Sequence, residues 1–208
     1  MAIKAILFNA EMVRAILEGR KSCTRKIVKP QQLIGMLPDK CKNGAPEKFL
    51  KEKKLMFKPY CDMTDIELIN TAYKAPYQLG DILYVRETWK KALNGYYYYE
   101  DWQRNDIADV TKWKPSTRMP KEAARIWLKV TDVRVERLQE VSAESALAEG
   151  ANKYIHTNGG LDENMTITSF IGIWNSTIKK SDIDRYGWDA NPYVWIIEFE
   201  RCEKPEGV

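Results

Sequence analysis

At 208 residues, 44% of them apolar and 30% charged, the chain has material for one folded domain carrying a generous insertion. Its 33 basic and 29 acidic side chains leave a formal charge of only +4, which excludes binding a polyanion through bulk charge and assigns that task to a local patch. Nothing reads as a signal peptide or as a run of ~18 apolar residues, and the cysteines lack C-x-x-C spacing beside a single histidine, so the expectations are no metal, no cofactor and a cytoplasmic chain with free thiols.

In chain order, residues 3–8 form a short β-compatible run. Residues 10–18 place Met12, Val13, Ile16 and Leu17 at helical spacing, with Asn9 as N-cap and Gly19 as stop. A basic turn follows, and Ile27 and Val28 suggest a short strand closed by Pro30. Residues 31–76 are Lys-rich, broken by Pro38, Pro46 and Pro59, and lack sustained periodicity; they read as an insertion, partly irregular, with a solvated surface. The Gly80-Asp81 turn precedes a strand over residues 82–87, and Asn94-Gly95 precedes a second β-prone run over 96–99. Residues 101–120 are polar and turn-rich, with Trp102 and Trp113 embedded. Residues 126–138 alternate, with a phase break near Thr131-Asp132 that predicts two strand halves joined by a bulge. Ser142 caps a short helix ending near Gly150. A second helix is expected over residues 168–179, burying Phe170, Ile171, Trp174 and Ile178, and residues 193–199 close the chain as a strand. The sum is a single α+β domain: a small, mostly antiparallel β-barrel flanked by helices.

The segment Gly19-Arg20-Lys21-Ser22-Cys23-Thr24-Arg25-Lys26 is the strongest candidate site. Cations interleaved with hydroxyls suit phosphate or carboxylate oxygens, because arginine offers a planar fork and Ser or Thr adds neutral donors. Two rival readings are helix-end stabilisation, worth ~0.3–1 kcal/mol, and plain surface charge.

Read as G-x-K-x-x-T-x-K, this segment resembles the signature of the ASCH family, a branch of the PUA-like β-barrels, usually written G-x-K-x-x-[E/T]-x-R. Residues 80–89 are similar to that family's strand ending in an acidic residue. The alternating run 126–138, its short helix and Glu149-Gly150 give a third match, and residues 186–192 with the last strand look like the larger phage and prophage ASCH-like proteins. The resemblance implies a barrel with a cleft beside the helix, suited to RNA or nucleotides. Some small relatives hydrolyse the amide of N4-acetylcytidine with a Lys, Thr and Glu set, which carries over to Lys21, Thr24 and Glu87; others are ribonucleases. Lys26 departs from the pattern, since the family has Arg there and lysine lacks the bidentate fork.

A threonine hydroxyl needs a base to take its proton, and lysine serves only where burial or neighbouring cations depress its pKa. Arg20, Arg25 and Lys26 would supply that repulsion, and Glu87 would protonate the leaving amine. The opposing reading pairs Lys21 with Glu87 and keeps the lysine charged. Tyr84, Trp89 and Trp113 are candidates for an aromatic wall, with core packing as the alternative. Ser116 and Arg118, in the loop after Trp113, are candidates for reaching a phosphate or base edge, and Ser22 joins the binding set. His156 reads as a surface residue. Two functions therefore stand side by side: an RNA- or nucleotide-binding module, and a hydrolase of a modified nucleoside. A protein partner docking on residues 31–76 is a third.

Overall fold

The computed structural model describes residues 1–29, 65–103 and 112–207. The bulk of the expected Lys-rich insertion, and with it the idea of a partner docking there, lies outside the described residues. Its described part, residues 65–76, carries one helix over Asp65–Ala72.

The first strand, β1, spans Ile3–Leu7, and helix α1 spans Ala10–Leu17. Asn9 caps that helix by accepting from the Met12 N–H, and Gly19 ends it at φ +73°, a left-handed conformation that costs glycine nothing. Strand β2 follows at Cys23–Ile27, then α2 at Asp65–Ala72 and β3 at Ile82–Arg86. Strands β4 (Trp89–Ala92) and β5 (Gly95–Tyr98) form a separate hairpin, which leads into α3 at Tyr99–Gln103. The long β6 spans Trp127–Arg137, followed by α4 (Ala143–Ala148), α5 (Glu163–Thr177), α6 (Ile183–Tyr186) and β7 (Tyr193–Cys202).

One five-stranded sheet in the order β1-β3-β6-β7-β2 forms the core; β1 and β3 run parallel and the remaining pairs antiparallel. Among the described residues the expected barrel does not close, because β1 and β2 are opposite edges with no ladder between them. The sheet curls instead. Phe8, just past β1, packs on Phe199 of β7 with ring centroids 6.2 Å apart. The concave face buries Ile6, Leu83, Val85, Leu128, Trp195 and Ile197 under Val13 and Ile16 of α1. The opposite face of β7, through Val194 and Ile196, packs on Phe170 and Trp174 of α5. A third cluster under the hairpin joins Trp89, Met119 and Trp127.

The bulge expected near Thr131 is present: Val130 pairs with Phe199 and Asp132 with Glu198, so Thr131 is the extra residue. It shifts the inward phase of β6 from Leu128 and Val130 to Val133 and Val135. Helix α5 starts earlier than its apolar pattern suggests, because Asp162 accepts from the Met165 N–H and starts it from polar turns. Among the described residues no helix is long and apolar enough to cross a membrane.

Candidate functional site

The basic segment is not the exposed turn its composition suggests; most of it is a buried edge strand. Pairing with β7 turns Thr24 and Lys26 towards the concave face, with Ile197 and Trp195, and turns Cys23 and Arg25 towards α4 and α5. Alternation thus distributes one cation to each side of β2.

Glu149 joins those sides. It follows the last turn of α4, and its carboxylate accepts from the Arg25 backbone N–H at 2.7 Å and from Arg25 Nη1 at 2.7 Å. The other terminal nitrogen of Arg25 donates to Ser145 Oγ at 2.6 Å, while the guanidinium lies 5.2 Å from the Phe170 ring. The Arg25 and Glu149 side chains are 1% and 6% exposed, so this is a buried ion pair; both carboxylate oxygens are engaged, while Arg25 Nε has no hydrogen-bond partner among the described residues. This cation is committed to a carboxylate.

Lys21 sits behind that carboxylate, its side chain fully buried. Its Nζ donates to the Cys23 and Glu149 carbonyls, each at 2.8 Å, and lies 4.0 Å from Glu149 Oε1. Burial lowers its pKa below the ordinary lysine value; Glu149 opposes this, and Lys26 and Arg25 add to it. Gly150 makes room for the lysine stem. At φ +100°, a Cβ there would come 3.3 Å from Ala15 Cβ and 3.9 Å from Lys21 Cβ. Cys23, between Lys21 and Arg25, is not a competing nucleophile, since burial pushes its thiol up to about 11.

Thr24, Arg25, Lys26 and Ile27 line a cleft of about 310 Å³, near the lower end of the ~300–1,000 Å³ usual for ligand sites. Leu7, Asn9 and Met12 form the opposite wall, Glu149 one end, and Phe170, Ile173 and Trp174 an apolar side. The cleft is therefore the seam the curled sheet leaves open between its two edges. Burial also lowers the Lys26 pKa, with Glu149 opposing. Arg20 is exposed and bonds Glu18; it lines a neighbouring cleft of about 260 Å³ with Arg14 and Glu149. The Ser22 side chain is exposed, and its backbone links Ala148 to Phe199.

Glu87 does not meet Lys21. Both of its oxygens accept from Arg125, each at 2.9 Å, and the same guanidinium reaches Asp101 and lies 4.0 Å from the Tyr98 ring. Burial raises the Glu87 pKa while Arg125 opposes it. Tyr84, Trp89, Trp113, Ser116 and Arg118 likewise do not line the cleft of Thr24 and Lys26. Trp89 is core, Tyr84 packs on Trp127 at 5.9 Å, and Trp113 meets Tyr99 and Trp102 edge-on. Ser116 and Arg118 form a single 3₁₀ turn, and His156 is exposed near Asp162. The aromatic side of the cleft comes from α5 instead.

Sequence reasoning passed over Glu149 and Ser145 as site residues. A signal existed: a carboxylate at a helix C-terminus opposes the helix dipole, so Glu149 needs cations in its tertiary surroundings.

No family model and no curated protein matches the chain. The chain is similar to a solved ASCH domain. That domain, from Lactobacillus crispatus JV V101, aligns over 96% of this chain and 79% of its own, with a TM-score of 0.41 and 11% identity. So distant a likeness assigns no residue a role.

Proposed function

We propose that the chain is an ASCH-like nucleoside- or RNA-binding protein whose seam cleft hydrolyses an N-acyl group from a modified nucleoside, with Lys21, Thr24 and Glu149 as the working set. The observation that carries this reading is a fully buried lysine of lowered pKa, 4.0 Å from a carboxylate that borders the same cleft as Thr24. A merely electrostatic grip would keep its lysine solvated and charged; a base needs it neutral.

In this mechanism neutral Lys21 takes the Thr24 hydroxyl proton as Oγ1 attacks the acyl carbon. The C–N bond then breaks, and the Lys21 ammonium returns its proton to the departing nitrogen. Water, activated by the same lysine, cleaves the acyl-threonine ester and frees the carboxylic acid. Glu149 steadies the ammonium that forms between these steps. Lys26, which lines the cleft, donates its amine N–H to the oxyanion, a role that needs a single donor rather than a fork. Glu87 has no part in it, since Arg125 occupies both of its oxygens.

The test is incubation with N4-acetylcytidine, reading free cytidine for the wild type and Lys21→Ala. Turnover by the wild type and its loss in the variant are expected. No turnover, with salt-sensitive RNA binding retained, would leave a binding module and remove the hydrolase.

A further inference from the structure

As a sheet edge, β2 has backbone groups that β7 does not use. The Phe199 N–H donates to the Ser22 carbonyl at 2.8 Å and the Val28 N–H to the Tyr193 carbonyl at 3.1 Å. Counting in twos between those bonds, Thr24 and Lys26 exchange hydrogen bonds with β7, while the backbone groups of Cys23, Arg25 and Ile27 point away from it. Two of these outward groups are already engaged, the Cys23 carbonyl by Lys21 and the Arg25 N–H by Glu149. Next along the edge come the Arg25 carbonyl and the Ile27 N–H. Neither has a partner among the described residues, and the four consecutive residues that line the cleft run along this edge.

An acceptor followed two residues later by a donor, on one side of an extended strand, matches a planar ring that bears an amino N–H beside a bare ring nitrogen. We infer that this backbone pair is the cleft's specificity determinant: the Arg25 carbonyl accepts from an exocyclic amino group and the Ile27 N–H donates to the adjacent ring nitrogen. The cleft then takes 4-aminopyrimidine or 6-aminopurine bases. It rejects uracil, whose ring N–H and carbonyl present the reverse order and would leave both protein groups facing their own kind. Mono-acylation leaves one N–H on the amino group, so the same contact persists in an acylated substrate. A base held this way lies beside Thr24 and Lys26, with its exocyclic nitrogen nearer Arg25 and Glu149 than Ile27.

This inference rests on the seam cleft being a nucleoside site, and its test separates the two. Calorimetric titration of the full chain with cytidine, adenosine, uridine and 3-deazacytidine, which lacks the ring nitrogen, reads the pattern directly. Cytidine or adenosine is expected to bind at least tenfold tighter than uridine, and whichever binds tighter names the base. Cytidine is expected to bind about tenfold tighter than 3-deazacytidine. Ile27→Pro removes the donor without removing a hydrogen bond within the protein, and an edge strand accepts proline; it should abolish the difference between cytidine and 3-deazacytidine. Equal binding of cytidine, uridine and 3-deazacytidine by the wild type would overturn the inference while leaving the hydrolase reading intact, and that comparison needs no variant to fold. An unchanged preference in folded Ile27→Pro would overturn it too. Deacylation of N4-acetylcytidine with no preference among the four nucleosides would sink the edge reading alone, whereas no turnover and no nucleoside binding would sink both.

Discussion

Two buried glutamates, Glu149 and Glu87, are each held at both oxygens by an arginine and its surroundings, yet only Glu149 borders the cleft of Thr24 and Lys26. At Glu149 the guanidinium takes one oxygen and a backbone N–H the other, Lys21 stands 4.0 Å away, and the carboxylate borders a cleft. At Glu87 the guanidinium takes both oxygens, Asp101 shares the same cation, and the Tyr98 ring lies against it. The first arrangement leaves a lysine with little solvation and a carboxylate still directed at it; the second is closed on itself. A buried, arginine-paired carboxylate therefore points to chemistry only where its neighbours leave hydrogen-bonding and charge unfinished.

The largest expected effect tests whether Lys21 acts as a base. Lys21→Arg keeps a cation that does not deprotonate, and turnover of N4-acetylcytidine should fall by about 10³-fold or more while nucleoside binding persists. Retained turnover would remove the distinction between the two regions. Glu149→Ala should combine loss of turnover with a stability loss of ~3–5 kcal/mol in denaturant unfolding, because it leaves Arg25 buried and unpaired. Glu87→Ala should cost less, ~1–3 kcal/mol, since Arg125 is a quarter exposed and keeps Asp101. Its turnover should stay near wild type; a collapse of activity would return Glu87 to the site.

The pH dependence sharpens the same contrast. The rate should rise with pH and level off at a value below that of an ordinary lysine, as Lys21 becomes neutral. Stability has the same sign. With the folded-state pKa depressed by burial, the unfolded chain binds more protons in the window between that value and the ordinary lysine value. Lys21 therefore contributes a stability that rises with pH across the window, by up to ~1.4 kcal/mol per unit for one proton; Lys26, lowered by burial too, adds in the same sense, and Lys21→Met should reduce the slope by Lys21's share. The smallest effect belongs to Trp89→Phe. The Trp89 indole nitrogen is buried without a hydrogen-bond partner among the described residues, so the change should cost about 1 kcal/mol or less in a melting experiment and leave nucleoside binding unchanged.

Much of the local structure was legible because short-range physics sets it. The Asn9 cap and Gly19 stop frame α1, the β6 phase break is a bulge, and Asn94-Gly95 sits at the β4–β5 turn. The start of α5 was not legible, since its first turns carry polar residues and only the Asp162 cap announces it. The regular helix α2 likewise hid behind Lys-rich flanking sequence.

At the site, the sequence by itself determined which residues could do chemistry: a lysine, a threonine and extra cations within one short segment. Only the tertiary structure decided their states. Pairing with β7 made the segment an edge strand, sent Arg25 to one face and Thr24 to the other, and buried Lys21. It also chose Glu149 over Glu87 as the lysine's neighbour, 128 residues away in the chain. Periodicity fixes which way a side chain points along its own strand, but which charge it meets depends on how distant elements pack, and no local pattern encodes that.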